Sequence, residues 1–311
     1  MKLSVIFPET RSVFRAAELA QRAEDAGLHG MWLGSAFGFD PIMAIGYAGT
    51  KTSSLLLGTA VVPTWPRNPI VMAQSAATAN QMCGGRFRLG IGPSHKPVMQ
   101  MYGLPFDRPI SHLSEYISVV KTLLATGNVN HKGDRFKVMG FLDVKDGGNP
   151  PVLLSALKEQ MCQLAGRAAD GVLPWLAPPA YVKEVIAPNV RKGATAEGRS
   201  EAPPIIAEVP AVLETDFDRV REVVNTDLAI YPQMPFYADI FVRVGAAPSI
   251  EEAAKGWTDP MIDAVIPWGD RDTLAARAQE YLDAGADEVA YSLHGGDRDK
   301  NLEVLGDIAR S

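Results

Sequence analysis

The side chains able to do chemistry collect where short apolar runs end. Such runs finish in Pro8-Glu9, Ser35-Ala36-Phe37, Val62-Pro63-Thr64-Trp65, Gly92-Pro93-Ser94-His95, Ser155-Ala156-Leu157-Lys158, Pro174-Trp175 and Ser292-Leu293-His294. Aromatic, small and hydroxyl-bearing residues dominate these ends, notably Phe37, Trp65 and Trp175 beside Ser35, Ser94 and Ser155. That mixture suits a flat, mostly apolar cofactor fixed by a few polar anchors. Ser155-Ala156-Leu157 leads at once into a helical pattern carrying Met161, Leu164, Ala165 and Ala168. Unpaired backbone N–H groups at such a helix start favour a phosphate, and Lys158 can add a charge. The plainer alternative is a capped turn with a solvated lysine.

Other chemistries find no support. The five histidines, His29, His95, His112, His131 and His294, show neither HExxH nor paired ligand spacing, so no metal is expected. There is no GxSxG elbow, no phosphate loop and no GxGxxG after the first strand. Gly90-Ile91-Gly92 is only GxG, and two readings stay open: close strand packing, or a backbone approach to a ligand at Gly92. Cys83 and Cys162 stand alone, without a CxxC, so neither a disulfide framework nor a thiolate metal site is indicated. Lys+Arg 30 against Asp+Glu 36 gives a net charge of −6 over 311 residues, which disfavours nucleic acid as a partner. The chain starts on an apolar strand without the marks of a signal peptide, and no stretch approaches a membrane span; a cytoplasmic protein is expected.

The elements that must position these residues alternate in type. Strands are expected over Leu3 to Pro8, Gly30 to Ser35, Leu55 to Pro63, Phe87 to Pro93, Val152 to Ala156, Gly171 to Trp175, Ile205 to Leu213 and Glu288 to Leu293. Segments of helical period separate them. Val13, Ala16, Leu19, Ala20 and Ala23 share one face of a helix ending at Gly27, and Ser111 and Asp272 are expected N-caps further on. Glu115 falls in the first turn after Ser111, and Gly127 stops that helix. Eight βα units imply a single (β/α)8 barrel over residues 1–311, with chemistry at the C-terminal ends of its strands. Two stretches break the rhythm: an irregular hairpin at about 128–149, and a proline-rich insertion at about 230–270 that is a candidate lid.

The stretches GLHGMWLGSAFGFDP, LLLGTAVVPTWPRNPIVMAQSAATA, GGRFRLGIGPSHKPVMQMYGLPFDRPISHLSEYISVVKTLL, PVLLSALKEQMCQLAGRAADGV, AEVPAVL and DTLAARAQEYLDAGADEV resemble the luciferase-like monooxygenase superfamily. GIGPSH, the PxxxLxEY segment and LAGRAADG resemble its branch of actinobacterial oxidoreductases that use the deazaflavin coenzyme F420. The resemblance implies a luciferase-like barrel with the deazaflavin at its C-terminal mouth. It implies a non-prolyl cis peptide within Thr59, Ala60 and Val61 beneath the ring. Phosphate contacts are implied at Ser94 and His95 and at Ser155, Ala156 and Leu157, with Gly92 and Lys158 beside them. A homodimer is also implied, since members are commonly dimers.

The activity implied is hydride transfer to or from a small organic substrate such as an enone, quinone or alcohol. Phe37, Trp65 and Trp175 are candidates for the substrate wall, and Ser35 for a hydrogen bond to the ring or a substrate carbonyl. His95 has two readings, a contact to the cofactor's tail or a proton donor; Glu9 and His294 are reserve acids. Three departures limit the transfer: Lys158 stands where many members carry glycine, Pro93 where sugar-phosphate-oxidising relatives carry an acid, and Ser35-Ala36 where they carry Asp-His. Oxidation of glucose 6-phosphate is therefore disfavoured. The competing readings are a monooxygenase of the same superfamily using FMN, and a catalytically silent barrel that binds a ligand.

Overall fold

The computed structural model describes residues 1–7, 11–34 and 37–311. Eight strands form its centre: β1 (Leu3–Phe7), β2 (Gly30–Leu33), β3 (Leu56–Thr59), β4 (Phe87–Gly92), β5 (Val152–Ser155), β6 (Gly171–Leu173), β7 (Ile206–Val212) and β8 (Glu288–His294). All neighbours are parallel, in the order β7-β8-β1-β2-β3-β4-β5-β6. The parallel bridges Val172↔Ile205 and Trp175↔Glu208 join the two ends and close the ring. This is the expected (β/α)8 architecture.

Alternation along each strand builds two cores. Leu3, Val5 and Phe7 of β1 face the surrounding helices. Ile6 turns inward and meets Trp32, Leu153, Leu173, Ile206 and Ala290 inside the barrel. Below that apolar layer lies a polar floor around Glu288, whose carboxylate accepts from Ser4 Oγ at 2.6 Å, Trp32 Nε1 at 3.1 Å and Arg88 Nη1 at 3.0 Å. The inside is thus packed from the floor up to this apolar layer.

The outer helices follow their sequence signals with two corrections. Ser12 caps Val13–Asp25 through Arg15 N, and the helix buries Ala16, Ala17, Leu19, Ala20 and Ala23. The helix expected from Ser111 starts earlier, at Pro109, because proline suits a first turn; Arg108 is its N-cap. Its Glu115 instead accepts amides of Asp134, Arg135 and Phe136 and so pins the turn of the hairpin Asn128–Lys132/Lys137–Phe141. The last long connection is capped by Asp270, on Thr273 N, rather than by Asp272, which lies in the first turn. The insertion after β7 is helical, with Pro235–Arg243, Ile250–Ala253 and Asp259–Val265.

Candidate active site

At the mouth, the connection beyond β3 carries one residue too many for its partner. Gly58 pairs with Arg88 and Val62 with Ile91, so the chain advances 62 − 58 = 4 residues against 91 − 88 = 3 on β4. The surplus is a bulge, and its Ala60–Val61 peptide is cis. Thr59 fixes the base of the bulge: its buried hydroxyl donates to Gly90 O at 2.8 Å and accepts from Gly90 N at 2.9 Å. Gly34 makes room beside it, since a Cβ there would stand 2.3 Å from Ala60 O. Ala60 and Val61 lie half-buried against the inner apolar cluster, together with Trp175.

The two glycines of Gly90-Ile91-Gly92 separate in role. A Cβ on Gly90 would meet Thr59 O at 1.9 Å, so this glycine serves backbone packing. A Cβ on Gly92 would meet Val61 Cγ2 at 2.9 Å and Ser155 Cβ at 3.1 Å. Gly92 therefore sits between the bulge and the end of β5, and brings together two groups of residues far apart in the chain. Ser94 follows in the left-handed region, with φ 60°, and His95 precedes the short helix Lys96–Met101.

Beyond Ser155 the chain turns through Ala156 and Leu157 into the helix Glu159–Ala168. Its N-cap residue, Lys158, makes no side-chain cap bond, and apart from the Glu159 amide, which its own carboxylate engages, the first-turn amides are left for another acceptor. Lys158 is not a solvated charge: its ammonium pairs with Asp239 of the insertion, which also holds Arg243 Nε at 3.0 Å. Arg243 in turn reaches Glu159 at 2.6 Å.

The insertion also roofs the mouth with aromatic rings. His95 stacks on Phe236, with centroids 5.5 Å apart, and Tyr237 lies edge-on to Tyr231 at 5.1 Å. Tyr231 reaches Trp175 at 5.9 Å. Beneath them Glu208, absent from the candidates read in the sequence, occupies the register beside Trp175. Burial pushes its carboxyl up to about 8 and lowers the His95 imidazole below its ordinary value. Among the described residues, His95 Nδ1 and Glu208 Oε1 are buried without partners, and buried Trp175 Nε1 has only the Tyr231 hydroxyl near it as an acceptor. A buried polar atom without a partner is costly, so this cluster suits a polar ligand.

The model of the family described as luciferase-like monooxygenase matches residues 5–288. The chain belongs to that family. Its relatives include the 5,10-methylenetetrahydromethanopterin reductase of Methanolobus tindarius, 28% identical with 98% of each chain covered. Another is the F420-dependent glucose-6-phosphate dehydrogenase 1 of Rhodococcus jostii, 29% identical over 83% of this chain and 78% of that one. Among solved structures, the F420-dependent tetrahydromethanopterin reductase of Methanopyrus kandleri superposes with TM-score 0.83 at 24% identity, covering 98% of this chain and 97% of that one. An F420-dependent secondary alcohol dehydrogenase in complex with an F420-acetone adduct also gives 0.83, at 20% identity, covering 99% and 97%.

Within this luciferase-like barrel the sequence candidates fall in four places. Ala60, Val61, Gly92 and Ser155 adjoin one another at the mouth, with Trp175 on the same inner cluster as the bulge. Trp65 and Phe37 do not share their contacts: Trp65 stacks on His112 at 3.8 Å, and Phe37 is 64% exposed, edge-on to Tyr102. Ser35, with Ala36, and Glu9 lie outside the described residues. His294 is tied to Asp227 at 3.0 Å and faces Ser292 at 3.3 Å. No cluster of metal-ligating side chains occurs among the described residues, and no described helix is long and apolar enough to cross a membrane.

The raised carboxyl of Glu208 has a measurable consequence. From the ordinary carboxylate range up to about pH 8 the unfolded chain releases this proton while the folded chain keeps it. Stability should therefore fall as pH rises through that window, and level off above it. Glu208→Gln should flatten that slope, as measured by urea unfolding across the same range; an unchanged slope would contradict the placement of a neutral carboxyl here.

Proposed function

We propose that this protein is an F420-dependent oxidoreductase that moves a hydride between the deazaflavin and a small organic substrate. The observation that carries the reading is the meeting of the Ala60–Val61 bulge with Ser155 across Gly92, directly before an uncapped helix start. A ring supported on the bulge and an acidic tail received by amides need to adjoin in this way. The names of relatives, among them an F420-dependent glucose-6-phosphate dehydrogenase and an F420-dependent tetrahydromethanopterin reductase, support the same reading.

Bound there, the deazaflavin supplies a carbon that gives or accepts a hydride and scarcely reacts with oxygen. The chain supplies position and dryness. Val61 and Ala60 support one side of the ring, and the amides after Leu157 receive the phosphate. Lys158 contributes charge while Asp239 holds it in place. Trp175, Tyr231 and Tyr237 exclude water from the reacting side. Pro93 gives no acid after the glycine pair, which argues against sugar phosphates and for a small carbonyl compound or alcohol.

Fluorescence titration of the purified protein separates the cofactors. Trp175 borders the site, so F420 should quench tryptophan emission in a saturable way, and FMN should bind far more weakly. Tight FMN binding with none to F420 would replace this reading by a flavin monooxygenase.

A further inference from the structure

An acid stands on the inner wall that no step above uses. Glu208 is two residues beyond Ile206 on β7, and alternation turns both into the barrel, Glu208 nearer the mouth. Its residue is 4% exposed, and Oε1 meets no donor among the described residues. The segment just beyond β6 presents Trp175 beside it, and β8 presents Ala290. The titratable groups around it are Tyr231 and Tyr237 from the insertion and His95 beyond Tyr237. On β8 there are also Glu288, held by the floor network, and His294, held by Asp227. None of these is a cation seated on Glu208, so ionising it there is costly and the proton stays on. The neighbouring Trp175 Nε1 is also buried, and the only acceptor turned toward it among the described residues is the Tyr231 hydroxyl, with which it makes no well-formed hydrogen bond. A protonated Glu208 and the indole N–H of its register neighbour Trp175 are two donors that one ligand oxygen can take in place of the Tyr231 contact.

We propose that Glu208 is the acid of this site, protonating a carbonyl oxygen that Trp175 Nε1 holds, and that the substrates are small uncharged carbonyl compounds and their alcohols. The inference rests on the F420 reading. As the carbonyl carbon gains the hydride, the C=O π pair moves onto oxygen. The Glu208 O–H bond breaks and its proton joins that oxygen, so the product is an alcohol. The two electrons come from the reduced deazaflavin, which is thereby oxidised, and water returns a proton to the carboxylate. Alcohol oxidation is the same sequence reversed.

The test uses the full-length protein and three readouts. Infrared pH-difference spectra of the protein without cofactor should show a carboxylic acid losing its proton near pH 8, and Glu208→Gln should remove that band. F420 titration by tryptophan quenching should be unchanged in Glu208→Gln; failure of the wild type to bind F420 would sink the functional reading rather than the assignment of the acid. With reduced F420, acetone and cyclohex-2-enone are the probes. Glu208→Gln should lower kcat by about a hundredfold or more with KM little changed, and Glu208→Asp should restore part of it along with the alkaline limb of the pH profile. Three results would overturn the proposal: a band that survives in Glu208→Gln, equal kcat in both proteins, or a wild type that binds F420 but reduces neither probe.

Discussion

The Gly90→Ala variant is expected to lose on the order of 3 kcal/mol of stability, and with it the ability to bind F420. The added methyl would stand 1.9 Å from Thr59 O and 2.6 Å from Leu173 Cδ1. A leucine methyl can turn aside. The Thr59 carbonyl cannot, because the Thr59 hydroxyl is locked to both backbone groups of Gly90. The strand pair must therefore separate at the base of the bulge, and the support for the ring goes with it. Gly92→Ala is the contrast. Its methyl meets side-chain atoms of Val61 and Ser155 at 2.9 and 3.1 Å, so the fold yields slightly while the space between ring support and tail site fills. Affinity for F420 should fall about tenfold, roughly 1.4 kcal/mol, with urea unfolding close to the wild type. Equal stability of Gly90→Ala and wild type, or unaltered F420 binding by Gly92→Ala, would contradict the division of roles between these glycines.

Glu288→Ala is expected to cost about 3 to 5 kcal/mol, the range for removing one partner from a buried charged network. The carboxylate side chain is 4% exposed and serves three donors at once, Ser4 Oγ, Trp32 Nε1 and Arg88 Nη1. Removing it leaves all three without an acceptor at the barrel floor, beneath the apolar layer, and opens a cavity as well. Arg88 is 22% exposed and regains some water, which places the cost toward the lower end. The floor is distant in kind from the mouth, so whatever fraction of Glu288→Ala folds should bind F420 with ordinary affinity. A melting temperature unchanged from the wild type would show that the network contributes nothing net.

Much of this architecture could be read from residue order, because buried parallel strands appear as apolar runs bounded by turn residues. The strands lie inside the expected runs, save that β8 continues to His294. Helix starts were less legible. Ser111 and Asp272 are good cap residues, but Pro109 and Asp270 lie upstream and take the starts first. At the site, the bulge falls where the family resemblance put it, within Thr59, Ala60 and Val61. The GxG pair could not be resolved in advance, since only the positions of Thr59 O and Val61 tell packing from approach. Glu208 went unread for a different reason. Its strand is apolar on both faces, with Ala207 and Val209 against the helices and Ile206 inside, so an acid in that run points inward or outward only once the barrel closes. Trp65, an aromatic at a strand end and a candidate for the substrate wall, stacks on His112, a contact that its sequence position alone does not show.

A crystal structure of the protein with F420 bound tests the central claim most directly. The account places the ring on Ala60 and Val61, with its exposed side toward Trp175 and Glu208, and the phosphate on the amides that follow Leu157. A ring lodged outside the mouth, or a phosphate held elsewhere while those amides face solvent, would contradict it.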